Sequence, residues 1–399
     1  MNSLEDLRRV VRRIEHARPP RPRPEPIEAL VGGALEETER GPLLIVRREY
    51  ALDHRHGGAA LGSAFAAAPA LLGMLTRQGL PAGDARRLLF LDTETTGLAG
   101  GTGTYAFLVG AGLMEGDRFV VRQFFMRDLD EEPALLAALA PLVAGAEGLV
   151  TYNGSGFDVP LLETRFVLAR RRWPELWHLD LLAPARRVWG ARFADCRLAT
   201  LESEVLGLER ENDVPGAMIP ALYLDYLRRR HPGALPRVFT HNLIDVLSLV
   251  ALTAWLARAL GSPEECALAP EEYAGLGRLW ERVDLERSLA CYRRSLAQGL
   301  AGIEADRVRL RLAWWEKRCA RWDAARQLWE TAAGAAAFDP RPWEELAKLY
   351  EHRRRDFAAA RRIVLEAIER ADRAEIAERV RRDLGHRLAR LERRLAAAR

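Results

Sequence analysis

The sequence of 399 residues predicts an α/β domain, with a mixed sheet flanked by helices, followed by an all-α domain of repeated helix pairs. Two observations support this fold class. Residues 86–152 contain short apolar runs separated by turn residues, which is typical of β-strands. Beyond Pro263 the apolar residues recur with helical spacing, and one helical pattern repeats along the chain. The two regions are therefore predicted to fold around separate cores.

Four strand-like runs and one intervening helix make up the predicted sheet region. The apolar run LLFLD at 88–92 is followed by YAFLVGAGLM and RFVVRQFFM, which the turn EGD joins as a hairpin. A helix around 131–143 leads to a fourth strand in EGLVTYN. From residue 158 onward the pattern is helical, apart from a short strand-like run in WHLDLL. This mixture of antiparallel strands, helices and a later strand predicts a mixed α/β sheet.

Four successive regions are predicted along the chain. Residues 1–30 contain a helix at 3–17 and an extended linker in ARPPRPRPEP. A small mixed region at 31–85 includes the candidate strand LLIVRREYAL. The α/β domain takes residues 86–262, and the helical repeats take residues 263–399.

The C-terminal helices follow one repeated pattern. The segments VDLERSLACYRRSL, RWDAARQLWETA and RDFAAARRIVLEAI align, and their first apolar residues are Leu285, Trp322 and Phe357. These residues are 37 and 35 positions apart. The spacing is close to the period of about 34 residues that is typical of tetratricopeptide repeats. We therefore predict about three imperfect tetratricopeptide-like repeats, stacked as a solenoid.

The net charge of +4 is unevenly distributed. Residues 271–399 hold 29 Lys+Arg against 22 Asp+Glu, and the remaining residues hold 31 against 34. A basic helical region fits a surface for nucleic acid or for an acidic protein, and solvated helix faces are the alternative. Nearly all of the positive charge is arginine, which suits bidentate contacts with phosphate. A coding bias that also favours Ala, Leu and Gly explains the arginine content equally well.

Several classes of protein are not expected. No uncharged apolar window of eighteen residues occurs, so no membrane span is predicted. The segment MNSLEDLRRVVRRIEHA lacks the apolar core of a secretory signal. The four cysteines are far apart and form no C-x-x-C motif, so we expect a cytoplasmic protein without a cysteine zinc site.

The stretch LLFLDTETTGLAGGTGTYAFLVGAG at 88–112 combines two acids with many glycines. A Walker loop requires a lysine, and a dinucleotide loop must open a helix, but here a strand-like run follows the glycines. We therefore expect the glycines to serve turns with positive φ. Asp92 and Glu94 are two residues apart on a strand and project to the same side. Such a pair either holds a hard divalent cation or consists of solvated acids at a strand end.

Two later stretches contribute further candidate residues. TYNGSGFDVPLL at 151–162 leads from a strand through a loop to a helix, and Asp158 stands at the helix start, where it could also act as a cap. HNLIDVLSLVALTAWL at 241–256 is an amphipathic helix on which His241 and Asp245 are one turn apart. Considered alone, that pair is better explained by a surface hydrogen bond.

Taken together, D-x-E on a strand, N-x-x-x-F-D before a helix and H-x-x-x-D on a later helix form an ordered set. This set resembles the DEDD exonuclease superfamily, in its histidine-bearing branch, which has a ribonuclease-H-like fold. The segment DVPGAMIPALYLDYL at 213–227 adds a similarity to the YprB-like ribonuclease-H-like family. The superfamily resemblance covers about residues 86–260, and the YprB-like one covers most of the chain.

The resemblance implies a metal-dependent 3′→5′ exonuclease that hydrolyses phosphodiester bonds with two divalent cations, Mg²⁺ or Mn²⁺. Asp92 would bridge both ions, and Asp158 would support the second ion. Glu94 and Asp245 would complete the site that holds the attacking water. His241 would orient and deprotonate that water as the general base.

Six further residues are implied to contact the terminal nucleotide: Thr95, Thr96, Gly97, Leu98, Asn153 and Phe157. The expected partner is DNA or RNA with a single-stranded 3′ end, together with a possible protein partner of the repeats. Two other functions remain open: a nucleic-acid-binding or scaffold module that holds its substrate without cutting it, and a hydrolase of small oligonucleotides. A second candidate metal cluster consists of Asp53, His54 and His56, for which ordinary surface residues are the alternative.

Overall fold

The computed structural model describes residues 25–76, 83–97, 103–373 and 378–397. The chain divides into two compact units. The sheet unit comprises Met1–Leu181 and Arg197–Ala257, and the helical unit comprises Leu182–Cys196 and Arg258–Arg399. The helix predicted at 3–17 and most of the proline-rich linker lie outside the described residues.

Within the described residues, the sheet unit contains one mixed sheet of seven strands and a separate two-stranded ladder. The strands are β1 (Ala34–Thr38), β2 (Gly41–Ala51), β3 (Arg55–His56), β4 (Ala59–Ala60), β5 (Leu88–Thr95), β6 (Ala106–Glu115), β7 (Arg118–Phe125), β8 (Gly148–Thr151) and β9 (Trp177–Asp180). The order in the large sheet is β1-β2-β7-β6-β5-β8-β9. Pairing is antiparallel from β1 to β5 and parallel across β5, β8 and β9. The predicted mixed α/β sheet is confirmed.

The helices alternate with the strands at first and then follow one another without strands. In chain order they are α1 (Ile27–Val31), α2 (Gly62–Phe65), α3 (Pro69–Leu75), α4 (Glu132–Gly145), α5 (Asp158–Leu168), α6 (Leu182–Trp189), α7 (Leu198–Leu201), α8 (Ile219–Arg229), α9 (Leu235–Gly261), α10 (Pro270–Trp280), α11 (Leu285–Ala297), α12 (Gly302–Arg318), α13 (Trp322–Ala333), α14 (Pro340–Lys348), α15 (Phe357–Arg373) and α16 (Glu378–Ala397). The predicted helical character of the C-terminal region is confirmed.

The central strand β5 shows how the sheet is buried on both faces. Leu89 and Leu91 belong to the large apolar cluster on one face, whereas Phe90 packs edge-on against Phe65 and Phe119 on the other. Side chains of a strand alternate between faces, so a run as apolar as LLFL is expected only where both faces are covered. Asp92 follows in the same strand and continues the face of Phe90.

Two glycines of β6 let helix α9 approach the sheet closely. A Cβ atom at Gly110 would lie 2.3 Å from Asn242 Oδ1, and one at Gly112 would lie 2.8 Å from Val246 Cγ1. Neither glycine adopts a positive φ, and neither do Gly97 and Gly103. The expectation that the glycines before β6 adopt a positive φ was therefore wrong for Gly97 and Gly103, the two that the structure describes. Those in β6 are required by helix packing, since any side chain there would displace α9.

Helix α9 is the one described helix whose length and composition would allow it to cross a membrane. Its most apolar window has a mean hydropathy of 1.8, and 72% of that window is buried inside the protein. Burial of this extent is that of a core helix, which accounts for the apolar composition without a bilayer.

In the helical unit, each helix packs mainly on its neighbours in sequence, and α6 packs on α10. Gly275 permits this last contact, because a Cβ atom there would lie 2.5 Å from the Cα atom of Val188. Helices α11, α13 and α15 begin at Leu285, Trp322 and Phe357, the first apolar residues of the three aligned segments. The tetratricopeptide assignment itself stays a prediction.

Candidate metal and catalytic site

A cavity of about 510 Å³ lies in the sheet unit between the end of β5, the loop before α5 and helix α9. Most of the predicted site residues line it: Asp92, Glu94, Thr95, Gly97, Asn153, Phe157, Asp158, His241 and Asp245. Thr96 does not line the cavity; its backbone N–H donates to the Tyr105 carbonyl, and its hydroxyl accepts from the Tyr105 N–H. Leu98 lies outside the described residues.

The acids of β5 are held in place by helix α9. The side-chain amide of Asn242 donates to Asp92 Oδ2 over 2.8 Å, and Gln123 in turn donates to Asn242 Oδ1 over 2.9 Å. Asn242 can reach Asp92 because Gly110 has no side chain in its path. The register of β5 against β6 shifts between Glu94 and Thr95, so the strand ends its regular pairing just after the two acids.

Helix α9 brings a histidine and a third acid to Glu94. His241 Nε2 lies 3.5 Å from Asp245 Oδ2 and 3.9 Å from Glu94 Oε1. One ligand atom from each of these three residues lies within 4.8 Å of the other two. The pairing of His241 with Asp245 follows from their separation by one helical turn, whereas the approach of Glu94 depends on the packing of α9 on β5.

Asp158 lines the same cavity from the start of helix α5. It is the first residue of α5, after Phe157 at the N-cap position, and it accepts a hydrogen bond from the Thr93 hydroxyl. Burial raises the pKa of Asp158 to about 6, although the bond from Thr93 acts in the other direction. Asp92 and Asp158 line the cavity without joining the close group formed by Glu94, His241 and Asp245.

The carboxyl groups in this cavity are buried among like charges. Burial, and then the charges of Asp245 and Asp158, raise the pKa of Asp92 well above its usual value. Burial followed by repulsion from Asp92 and Asp245 does the same for the pKa of Glu94. A hard divalent cation would relieve both effects, because it neutralises the charges and accepts oxygen ligands. The donor set of carboxylates and one imidazole therefore fits a divalent cation.

His241 is oriented by an acid that sequence analysis did not single out. Its Nδ1 donates to Asp213, with Oδ1 at 2.8 Å and Oδ2 at 2.9 Å. Although burial opposes it, the bond from His241 lowers the pKa of Asp213. Nε2 is left to face Glu94 and Asp245. Asp213 is the first residue of DVPGAMIP, but nothing in the spacing of that segment indicates a contact with a helix that begins 22 residues later.

A half-buried arginine also enters the site from the loop before α8. Arg210 donates to Glu202 through Nε and Nη2, each over 2.6 Å, and its Nη2 also pairs with Asp245 Oδ1. These partners raise the pKa of Arg210 even though burial acts to lower it. The guanidinium group fixes one oxygen of Asp245, and the other oxygen faces His241. Sequence analysis missed Arg210 because it stands in the charged segment LERENDV, which looks like solvated loop.

The loop from Asn153 to Phe157 is anchored by backbone contacts to β9. Asn153 adopts a φ of 63°, and its N–H donates to Asp180 Oδ1 over 2.7 Å. The Ser155 N–H donates to Oδ2 of the same acid over 3.1 Å. Phe157 is 61% exposed at the edge of the cavity, which excludes it from the core.

The second candidate cluster does not gather in the described part of the chain. His56 is buried, with Nε2 at 2.8 Å from the Ser248 hydroxyl, while Asp53 and His54 are exposed. Burial lowers the pKa of His56 from 6.5 to about 4, so the imidazole stays neutral near pH 7. The His54 ring instead contacts Tyr50, with ring centroids 4.7 Å apart. These positions are those of a core histidine and two surface residues.

Comparison with known proteins covers both the sheet region and the chain as a whole. Residues 89–257 match the RNase_H superfamily, and this span contains all five predicted catalytic positions. The chain is 32% identical over 369 residues to the uncharacterized protein YprB of Bacillus subtilis (strain 168). That similarity covers 89% of this chain and 86% of the relative.

Proposed function

Because the chain belongs to the YprB family and carries a domain of the RNase_H superfamily, we propose that it is a metal-dependent 3′→5′ exonuclease acting on nucleic acid. Proteins of this superfamily are typically nucleases, so the broad activity follows from the family. One observation supports the specific mechanism. Four largely buried carboxyl groups line one cavity, and a histidine held by a further acid points its free nitrogen toward two of them.

The cation-binding residues in this proposal are Asp92, Glu94, Asp158 and Asp245. Divalent cations bound there would supply charge stabilisation for the attacking and leaving oxygens of an in-line displacement. Asn242 keeps Asp92 oriented, and Arg210 keeps Asp245 oriented, so each carboxyl group presents one defined oxygen to the cavity. Residues that orient metal ligands in this way typically change affinity or activity about 10–100-fold when they are removed.

His241 is the general base in this scheme. Nδ1 carries a proton that is donated to Asp213, which leaves the lone pair of Nε2 directed at the carboxyl cluster. A water molecule placed there would lose its proton to Nε2 as it attacks phosphorus. Asp213 would then stabilise the imidazolium ion, since its carboxylate already accepts the Nδ1 proton.

The shape of the cavity supports action at a chain end. A volume of about 510 Å³ falls in the range of small-ligand pockets, which accommodates a terminal nucleotide better than an uninterrupted duplex. The exposed ring of Phe157 stands at its edge, where an unstacked base could lie against it. Thr95 and Gly97 line the wall beside the acids, and the Thr95 hydroxyl donates to the Gly97 carbonyl over 2.9 Å.

One observation favours the alternative of a protein that holds nucleic acid without cutting it. Arg210 already neutralises part of the charge of Asp245, as a cation would. In that case divalent ions would be unnecessary for binding. The second oxygen of Asp245 nevertheless faces the cavity and not the guanidinium group, which is why we prefer the nuclease.

The decisive experiment incubates end-labelled DNA and RNA, single- and double-stranded, with the full-length protein and Mg²⁺ or Mn²⁺. We expect stepwise shortening from the 3′ end, no reaction with EDTA, and a thermal stabilisation by Mn²⁺ in the absence of substrate. Absence of both hydrolysis and metal stabilisation would exclude the nuclease and leave the binding module. Internal cuts would retain the chemistry but contradict the exonuclease assignment.

We further propose that the helical region consists of tetratricopeptide-like repeats. Support comes from the helix pairs α10–α11, α12–α13 and α14–α15, in which the second helix of each pair begins at the repeated apolar position. A protein partner of these repeats remains part of the proposal.

A further inference from the structure

The helical unit contains two adjoining cavities of about 1290 and 610 Å³, which share Trp329 and Glu345 as lining residues. Their walls are formed mainly by residues on or next to helices α6, α10, α12, α14 and α16. We call this continuous surface the arginine groove. Its lining includes eleven arginines and two lysines against five glutamates.

The arginine groove holds the entire charge excess of its unit. The helical unit contains 33 Lys+Arg and 25 Asp+Glu. Outside the groove lining, the same unit therefore contains twenty residues of each sign. Solvated helix faces would spread an excess over the surface, so the concentration in one groove indicates a site for an anionic partner.

Internal ion pairs do not neutralise this groove, because its few glutamates are shared. Glu304 accepts from both Arg278 and Arg307, so two positive charges meet one carboxylate. Arg186 and Arg282 are exposed and form no ion pair with any residue that the structure describes. Their guanidinium groups are planar forks that match phosphate or carboxylate oxygens.

A tryptophan on α12 distinguishes between anionic partners. Trp314 lines the groove and is 49% exposed, which is unusual for so large an apolar side chain. Trp315 packs edge-on against Trp314, with ring centroids 4.5 Å apart. The guanidinium group of Arg318 lies 4.8 Å from the centroid of the Trp314 ring. An exposed indole beside arginines offers a stacking face for a base together with contacts for phosphates. An acidic peptide would use the charges only, and a duplex would not present an unstacked base.

We propose that the arginine groove binds a single strand of nucleic acid, with phosphates at Arg186 and Arg282 and a base stacked on Trp314. None of the groove residues lines the carboxyl cavity of the sheet unit, so the inference does not depend on the proposed nuclease activity.

The test measures binding of a fluorescein-labelled oligothymidylate to the full-length protein by fluorescence anisotropy, in EDTA and across a salt series. EDTA prevents hydrolysis, so failure of the nuclease proposal cannot alter the result. Combining Arg186→Glu and Arg282→Glu should raise Kd at least about tenfold and reduce the salt slope by about 1.4, the value for two phosphate contacts on a single strand. Trp314→Ala should raise Kd about fivefold or more without changing the salt slope.

The matched control combines Arg294→Glu and Arg362→Glu. Both arginines are exposed, lie outside the groove lining and form no ion pair within the described part of the chain. This variant changes the net charge by the same amount as the groove variant but removes no contact in the groove. Its Kd should therefore stay within about twofold of the wild-type Kd at the same salt concentration. Trp314→Phe keeps an aromatic face and should recover most of the affinity that Trp314→Ala loses.

Three results would overturn the inference. Equal weakening by the control and groove variants would show that only total charge matters. Displacement of the oligonucleotide by polyglutamate at equal charge concentration, with no effect of Trp314→Ala, would assign the groove to an acidic protein. If the wild-type protein is folded by circular dichroism but does not bind the oligonucleotide at low salt, the groove is not a nucleic-acid site.

Discussion

The carboxyl cavity of the sheet unit and the arginine groove of the helical unit differ in the sign of their charges and in the exposure of those charges to water. Asp92 and Glu94 are largely buried beside other acids, and burial followed by repulsion from those acids raises their pKa values. Arg186 and Arg282 are exposed in a groove where arginines outnumber acids. Water screens the second arrangement and cannot screen the first.

This difference predicts which kind of ligand each region selects. Buried like charges require a compact cation placed within a few ångströms, so the cavity depends on the identity and position of every donor. Exposed cationic side chains gain only a small free energy from each contact, so the groove depends on a long polyanion that engages many of them. Substitutions in the cavity should therefore affect chemistry at any salt concentration, whereas substitutions in the groove should affect affinity mainly at low salt.

Replacement of Asp92 should have the largest effect. Asp92→Asn keeps the shape of the side chain but removes the charge, so we expect hydrolysis to fall by about 10³-fold or more, beyond the 10–100-fold of groups that merely orient ligands. The metal-free variant should be at least as stable as wild type, because a buried repulsion is relieved. Initial rates and thermal melts with and without Mn²⁺ measure both effects. The matched control is Asp117→Asn, in the exposed turn between β6 and β7. If Asp92→Asn hydrolysed nucleic acid at the wild-type rate, this cavity would be excluded as the reaction site.

The His241–Asp213 pair should produce the next effect. His241→Ala removes the general base, and a loss of about 10²–10⁴-fold in kcat is expected, with partial recovery at higher pH or with Mn²⁺. Asp213→Asn retains the contact with Nδ1 but loses the negative charge, so kcat should fall about 10–100-fold with little change in KM. Single-turnover rates across a pH series test this split. Full kcat in Asp213→Asn would restrict that acid to a structural role.

The next effect concerns the stability of the sheet unit, which depends on the protonation of the buried imidazole of His56. Its pKa is about 4 in the folded protein and 6.5 otherwise, so the unfolded chain takes up a proton first as the pH falls. Stability is therefore lost between about pH 6.5 and pH 4, by about 2–3 kcal/mol. His56→Gln, which cannot be protonated, should remove this part of the pH dependence in urea unfolding. An unchanged difference between pH 7 and pH 4 would show that another group is responsible.

The smallest effect is expected from the groove variant on catalysis. The double variant at Arg186 and Arg282 should hydrolyse a trinucleotide at the wild-type rate, while kcat/KM for a long single strand falls about tenfold at low salt and recovers at high salt. A steady-state salt series on both substrates measures the contrast. Loss of activity on the trinucleotide would mean that the groove and the cavity are not independent.

Local patterns alone were enough to predict the strands, the helices and the order of the acidic motifs. The apolar run LLFLD, the hairpin around Gly116 and the helix beginning at Asp158 are each encoded within about a dozen residues by periodicity and turn chemistry. The same local logic placed Asp92 beside Glu94 and His241 one turn before Asp245. The resemblance to a known superfamily then linked these stretches, and the structure brings them to one cavity.

Tertiary structure alone decided which groups hold these residues in place. Asn242 reaches Asp92 from 150 residues away, and nothing in the predicted strand showed that the glycines of β6 permit this approach. Strand β2, from the region predicted to be separate, lies in the same sheet as β7. Arg210 likewise has no signature in the linear sequence, because arginine on a loop resembles solvated charge. The charge count indicated a basic helical region, but it could not show that the excess lies in one groove. Hydrogen bonds and charge clusters between distant residues depend on how the elements pack. Such packing produces no periodic pattern in the sequence, so the sequence alone does not predict it.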